Sequence, residues 1–414
     1  MSGYNRIEQI IGGVLTRFPR LKSVAETGYQ RANYHLFADR DFEYELHESA
    51  EFMEVDNRYG DGIPDDHFVG FYDVSPWNAS MDSYFVHRID DGRVSIGVLT
   101  GGKTKHVTAT DAWNYQQGSR TQWHPTEDGT LLYNDVEDGS AVGRSIGIDG
   151  TINDTYPYPI QAVRPAGGEF LSIDYRRLDR NSPGYGYGTD DGSLRDPGDD
   201  GIFRVDLEGD AELIVPFEEL LDSTPTDVPH GNHYIHHVLY APDGDRFAFL
   251  HRWMDEGERN TRLLVSDRQG DRRTLLENRH VSHFCWLDGR RLFLWGGSER
   301  AGRGYHVLDV VSGESTPIDG LEGYGDGHPS LSPDGSWIVT DTYPDRLRKR
   351  TLTLYHLPTE REIRLGTFFS PFGFDGSKRC DLHPRWSPDG QFVSIDSAHG
   401  GRRRSYIVDV GSIV

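Results

Sequence analysis

The chain has 414 residues, enough for one large all-β domain or two ordinary ones. It carries 66 acidic against 43 basic residues, a formal net charge of −23, and only five of the bases are lysine (Lys22, Lys103, Lys105, Lys349 and Lys378). This balance repels the phosphates of duplex nucleic acid, the two cysteines make no disulfide framework, and no apolar stretch approaches a membrane span. Neither nucleic acid nor a membrane is therefore an expected partner. The start lacks a charged-then-apolar leader pattern, which predicts a cytoplasmic protein. The acidic, lysine-poor surface fits a protein kept hydrated in concentrated salt, where a short Debye length softens self-repulsion.

In chain order, residues 7–26 (IEQIIGGVLTRFPRLKSVAE) read as a short helix with a Gly-Gly interruption. Residues 1–60 are predicted to be an N-terminal helical segment and linker, and residues 61–414 the main domain. Strand-turn-strand units then recur. Three weaker ones start near Phe68, Gly118 and Tyr158, and four clear ones start at His236, Val281, Asp326 and Asp381. Each clear unit continues into a second pair of strand signals, giving four strands in roughly 45–55 residues, the size of a propeller blade. Two insertions interrupt the series: a Gly/Tyr/Asp loop from Asp179 to Asp199, and FEELLDSTPTDVPHGNHY, which reads as a short helix and a loop. The prediction is an all-β, seven-bladed β-propeller with four-stranded antiparallel blades, closed by a strand lent across the ends.

The innermost strand of a blade runs along the central channel, so a polar residue at its head can face a shared axial pocket. Here the heads carry His237, His283, His328 and His383, with Trp123 and His124 in the second unit. Four imidazoles at equivalent register form a ring by geometry, whereas a lone buried histidine is usually a hydrogen-bonded core residue. Their structural alternative is that of blade staples. With Asp381 nearby, the mixed nitrogen and carboxylate set suits a divalent transition metal, manganese, zinc or iron rather than calcium. Cys285, two residues from His283, reads as a buried inert thiol.

The phrases HHVLYAPDGDRFAFLHRW, VSHFCW and DLHPRWSPDG resemble the oligogalacturonate lyases and their relatives among propeller polysaccharide lyases, over about half the chain. FYDVSPW, AWNYQQG, PGYGYG and DTYPD resemble a group of propeller proteins found with polysaccharide genes. The lyase resemblance implies a general base at His237, a metal ligand at His283, and further ligands at His383 and Asp381. The family's last-blade glutamine and second histidine have no plain counterpart in Lys378 to Asp381.

The implied activity is metal-assisted β-elimination on a uronic-acid-containing oligosaccharide or polysaccharide. Elimination needs the uronate carboxylate neutralised and a base for the α-proton. The expected assignment is a metal on His283, His328 and His383, with His237 as base. Arg252, or Arg176 and Arg177, would clamp the carboxylate through a planar guanidinium. Tyr185, Tyr187 and Tyr343 would donate to the leaving oxygen or stack on sugar rings, and Gln116 and Gln117 would bind hydroxyls. The alternative is a non-catalytic propeller scaffold that binds saccharides or a protein partner. A serine hydrolase has no Gly-x-Ser-x-Gly elbow to stand on.

Overall fold

The computed structural model describes residues 19–38, 41–55, 66–188, 193–224, 228–255, 258–277, 281–298 and 302–414. The strands form seven antiparallel sheets around one axis, each of four strands except the sixth, which has five. The innermost strands are His67–Phe68, Gln122–Trp123, Ala162–Val163, His233–Tyr240, Phe284–Trp286, Ser330–Leu331 and Arg385–Trp386. This is the seven-bladed propeller expected from the repeats.

The local chemistry of the repeat explains its blades. In the sixth blade Ser332 Oγ donates to Asp334 and accepts from the backbone N–H of Trp337 at 2.9 Å. In the seventh, Ser387 and Asp389 do the same, with Ser387 Oγ accepting from Phe392 N at 2.9 Å. The glycines of these turns, Gly335 and Gly390, have φ of 74° and 73°, a left-handed conformation that side chains disfavour. The tryptophans near the blade heads then tie neighbouring blades together. Trp286 Nε1 donates to Leu239 O at 3.1 Å, and Trp386 Nε1 donates to Ser330 O at 3.1 Å. Apolar residues of adjacent sheets pack between blades, as with Trp337, Val339 and Leu354 against Trp386, Val393 and Val408.

The seventh blade has only three strands of its own. Its outer strand is Glu51–Glu54, which pairs antiparallel with Arg404–Asp409 and stacks Phe52 on Tyr406 at 4.6 Å. This closes the ring across the chain ends. The preceding strand, Tyr44–Leu46, joins the outer edge of the sixth blade. Part of the segment read as linker thus belongs to the sheets. A helix, Pro19–Phe37, lies against the sixth blade, with Tyr34 stacked on Phe369 at 5.4 Å and Gln30 accepting from Arg348 at 3.0 Å. The Gly-Gly interruption predicted in the first helix lies outside the described residues. Two short helices accompany the insertions: Tyr175–Asn181 leads into the first, and Phe217–Asp222 lies in the second, where the sequence placed one.

One structural histidine sets a pH dependence. His87 is fully buried, its Nδ1 donating to Val69 O at 2.8 Å while its other nitrogen lies 2.8 Å from Thr121 Oγ1. Burial pushes the imidazole down to about 4. The unfolded chain therefore binds this proton at higher pH than the folded one, and stability falls as pH drops from about 6.5 toward 4. Between pH 7 and pH 5 this one group should cost about 2 kcal/mol. Urea unfolding of wild type and His87→Gln at both pH values checks it, the variant losing that much less.

Candidate active site

The four head histidines converge. Their ring centroids step around the axis at 4.9 Å (His237 to His283), 4.2 Å (His283 to His328) and 4.4 Å (His328 to His383). Tyr72, from an excursion of the first blade, lies within 5.5–6.4 Å of all four. Its neighbour Phe71 fills the gap between His383, at 5.0 Å, and His237, at 5.2 Å. All four histidines are at most 3% exposed.

Equivalent register is visible in the hydrogen bonds. Four residues beyond each head, a backbone N–H closes the turn: Ala241 to Arg246 O, Leu287 to Arg291 O, Ser332 to Trp337 O and Ser387 to Phe392 O. His124 and Arg164 make the same bond in the second and third blades, so their heads are Arg120 and Ile160. His237, His383 and Arg120 all have positive φ, at 52°, 44° and 53°. At His237 the cause is a bulge in the inner strand, the pairing register shifting between His236 and Leu239.

Three imidazoles are oriented through Nδ1. His283 Nδ1 lies 3.0 Å from Asp326 Oδ1, His328 Nδ1 lies 2.7 Å from Asp341 Oδ1, and His383 Nδ1 donates to Gly70 O at 2.8 Å. Such bonds fix the tautomer and turn the Nε2 lone pair outward, the arrangement found behind metal-ligating histidines. The Nε2 atoms of His328 and His383 are buried without a partner among the described residues. Asp341 supports two blades at once. Its other oxygen accepts from Leu382 N at 3.1 Å and His383 N at 3.2 Å. Asp396 repeats the device one blade on, accepting from Val69 N, Gly70 N and Arg385. Gly70 must be glycine: φ is 126°, and a Cβ would meet the Gln117 backbone at 2.9 Å.

Asp381 joins His328 and His383 in a cluster whose candidate ligand atoms lie within 4.8 Å of one another. Burial alone would raise its carboxyl, but Arg379 and Arg350 hold it well below the usual carboxylate range, with ion pairs of 2.5 and 2.8 Å. Burial lowers His237 and His383 well below the usual imidazole value, and His283 to about 4 despite Asp326.

Around the ring, Arg252 is buried, donates to Ser282 O at 3.4 Å, and has no carboxylate partner among the described residues. Burial beside Arg259 lowers it to about 10, so it stays charged at neutral pH. Tyr343 lies 5.7 Å from His328, its phenol raised well above its ordinary value by burial. Tyr185 packs edge-on against His236 at 4.5 Å and accepts from Arg379 at 2.6 Å.

Other predicted residues are engaged elsewhere. Arg177 is buried in a 2.6 Å pair with Asp200 and lies over the Phe217 ring, while Arg176 pairs with Asp174 at 2.8 Å. Both brace the first insertion. Tyr187 stacks on Tyr175 at 4.4 Å and accepts from Asn134 at 2.8 Å. His124 Nδ1 accepts from Glu127 N at 2.9 Å and so caps its own turn. Gln117 is anchored through its backbone to Asn114 at 2.8 Å, and Gln116 donates to Arg379 O at 2.9 Å. Cys285 is half-buried rather than fully buried, and its thiol is pushed up by desolvation, as an inert group would be.

Sequence reading missed Arg120, whose bidentate bonds to Asp73 are both 2.9 Å. Its signal was available: Pro125 follows it by five residues, as Pro242, Pro333 and Pro388 follow three of the head histidines. Asp341 and Asp396 likewise stand thirteen residues after His328 and His383.

Two solved structures share this arrangement of blades. One is an oligogalacturonate lyase in complex with manganese: TM-score 0.61, 14% identity, covering 83% of this chain and 90% of that one. The other is an oligogalacturonate lyase from Vibrio parahaemolyticus: TM-score 0.61, 14% identity, covering 89% of this chain and 98% of that one. The chain has the fold of the oligogalacturonate lyases. No family model matches it, and no curated protein matches it in sequence. The resemblance stated from the blade-head motifs is therefore met by the fold.

Proposed function

We propose that this protein is a lyase that cleaves a uronate-containing oligosaccharide by metal-assisted β-elimination. The observation that carries the reading is the ring of four buried imidazoles around Tyr72, three of them oriented through Nδ1. Unpartnered buried Nε2 atoms backed by Asp341 and Gly70 are what a divalent ion requires of its ligands. His328, His383 and Asp381, whose ligand atoms lie within 4.8 Å of one another, would hold it, His283 would join from the neighbouring blade, and manganese is favoured. When bound, the ion would supply positive charge beside the substrate carboxylate and so acidify the α-proton.

The chain's own groups do the rest. Arg252 is a charged guanidinium without a carboxylate partner among the described residues, suited to fork onto that of the uronate. His237 is neutral at pH 7 and its Nε2 has no partner among the described residues, so it can take the α-proton. Tyr343, kept protonated by burial, can donate a hydrogen bond to the sugar. These local cations offset an overall charge of −23 that would otherwise repel an acidic ligand.

The test is to incubate the protein with oligogalacturonate and other uronate oligosaccharides and follow the ultraviolet absorbance of an unsaturated uronate. Absorbance should grow with manganese present, stop with chelator and return on re-addition. Binding without any such product, across all substrates with metal supplied, would replace the lyase by the scaffold reading.

A further inference from the structure

His236 stands next to the ring and has no role in the chemistry above. It is 1% exposed, His237 is 3% exposed, and the two rings lie 4.1 Å apart. Their Nδ1 atoms are in direct hydrogen-bonding contact with each other. Neither Nε2 has a partner among the described residues. Tyr185 packs edge-on against His236 at 4.5 Å and helps to keep it from bulk water.

Two neutral imidazoles joined through Nδ1 share one proton between them. The ring that donates it has a bare Nε2. The ring that accepts it must carry its own proton on Nε2. The pair therefore always presents one base and one acid.

Resting on the lyase reading, we infer that His236 is the general acid that protonates the leaving oxygen, coupled to the base His237 through their shared Nδ1 proton. His237 Nε2 takes the proton from C5 of the uronate. The C5–H electron pair forms the C4–C5 double bond. The C4–O bond breaks, its pair leaving with the oxygen. His236 Nε2 gives that oxygen its proton, and the shared proton passes from His237 Nδ1 to His236 Nδ1. Both rings begin and end neutral, each with one proton. Exchange of both Nε2 sites with water after product release restores the starting tautomers.

The experiment compares two substrates with manganese-loaded protein: an oligouronate, and a uronate carrying 4-nitrophenol as an ether at C4. The aryl leaving group needs no proton. His236→Gln should lose about 10²- to 10⁴-fold in turnover of the oligouronate and only a few-fold on the aryl ether, at unchanged metal content. Equal losses on both substrates, no loss on either, or the same split produced instead by Tyr343→Phe would overturn the assignment. Wild type that eliminates neither substrate would sink the lyase reading itself and this one with it. Should the variant not fold, ¹⁵N NMR of histidine-labelled wild type decides independently. The pair should show one ring protonated on Nδ1, its neighbour on Nε2, and a coupling across the Nδ1–Nδ1 bond; two rings of the same tautomer would refute the acid role.

Discussion

His237→Ala is expected to cut formation of the unsaturated uronate by about 10²- to 10⁴-fold, the range for losing a positioned proton acceptor. The side chain sits at a bulge that aims it at the axis, and its Nδ1 is already committed to His236. No other imidazole of the ring can take over. His283, His328 and His383 each have Nδ1 fixed by a hydrogen bond and are assigned to the proposed ion. Initial rates at saturating substrate, with metal content measured on the same preparation, check this. Retained metal with lost turnover fits a base; wild-type turnover in the variant assigns the proton transfer elsewhere.

Asp341→Asn should be the most damaging change outside the ring. One carboxylate accepts from His328 N and Nδ1 at 2.8 and 2.7 Å, and from Leu382 N and His383 N at 3.1 and 3.2 Å. An amide has only one accepting atom and turns a donor toward the remaining N–H groups. At a site with no solvent exposure the orphaned groups should cost about 3 kcal/mol or more. The same change frees the His328 imidazole to rotate and removes the acceptor of the His383 backbone N–H, which should weaken metal affinity about 10- to 100-fold. Chemical denaturation and a competitive chelator titration read the two effects separately. Asp200→Asn, which breaks the buried Arg177 pair in the first insertion, serves as control. It should destabilise the protein and leave metal affinity alone. Equal affinity loss in both variants would mean that Asp341 acts on the fold rather than on the histidines.

The parts that the sequence made legible are those in which one residue type performs one local task. The Ser-Pro-Asp-Gly turns announce themselves because serine, aspartate and glycine each meet a separate need of the turn. The head histidines were legible because they precede those turns at a fixed spacing. The closing strand Glu51–Glu54 was hidden, since a mostly exposed outer strand lacks the apolar alternation that marks buried ones. Arg177 read as a free cation because its partner Asp200 lies 23 residues on, beyond a Gly-rich insertion. His124 drew the eye in the second blade, while the true head, Arg120, lacks the histidine that marks the other four. Asp341 looks like any acidic strand end until the next blade brings Leu382 and His383 against it.

The central claim is that separate blades present their imidazoles to one ion. Its most direct test is elemental analysis of the protein purified in manganese and freed of excess by gel filtration, for wild type and for the His328→Ala/His383→Ala double variant. About one divalent ion per chain in wild type and almost none in a variant that still melts cooperatively is the predicted result. A wild type without metal, or a folded double variant that retains its full complement, would contradict it.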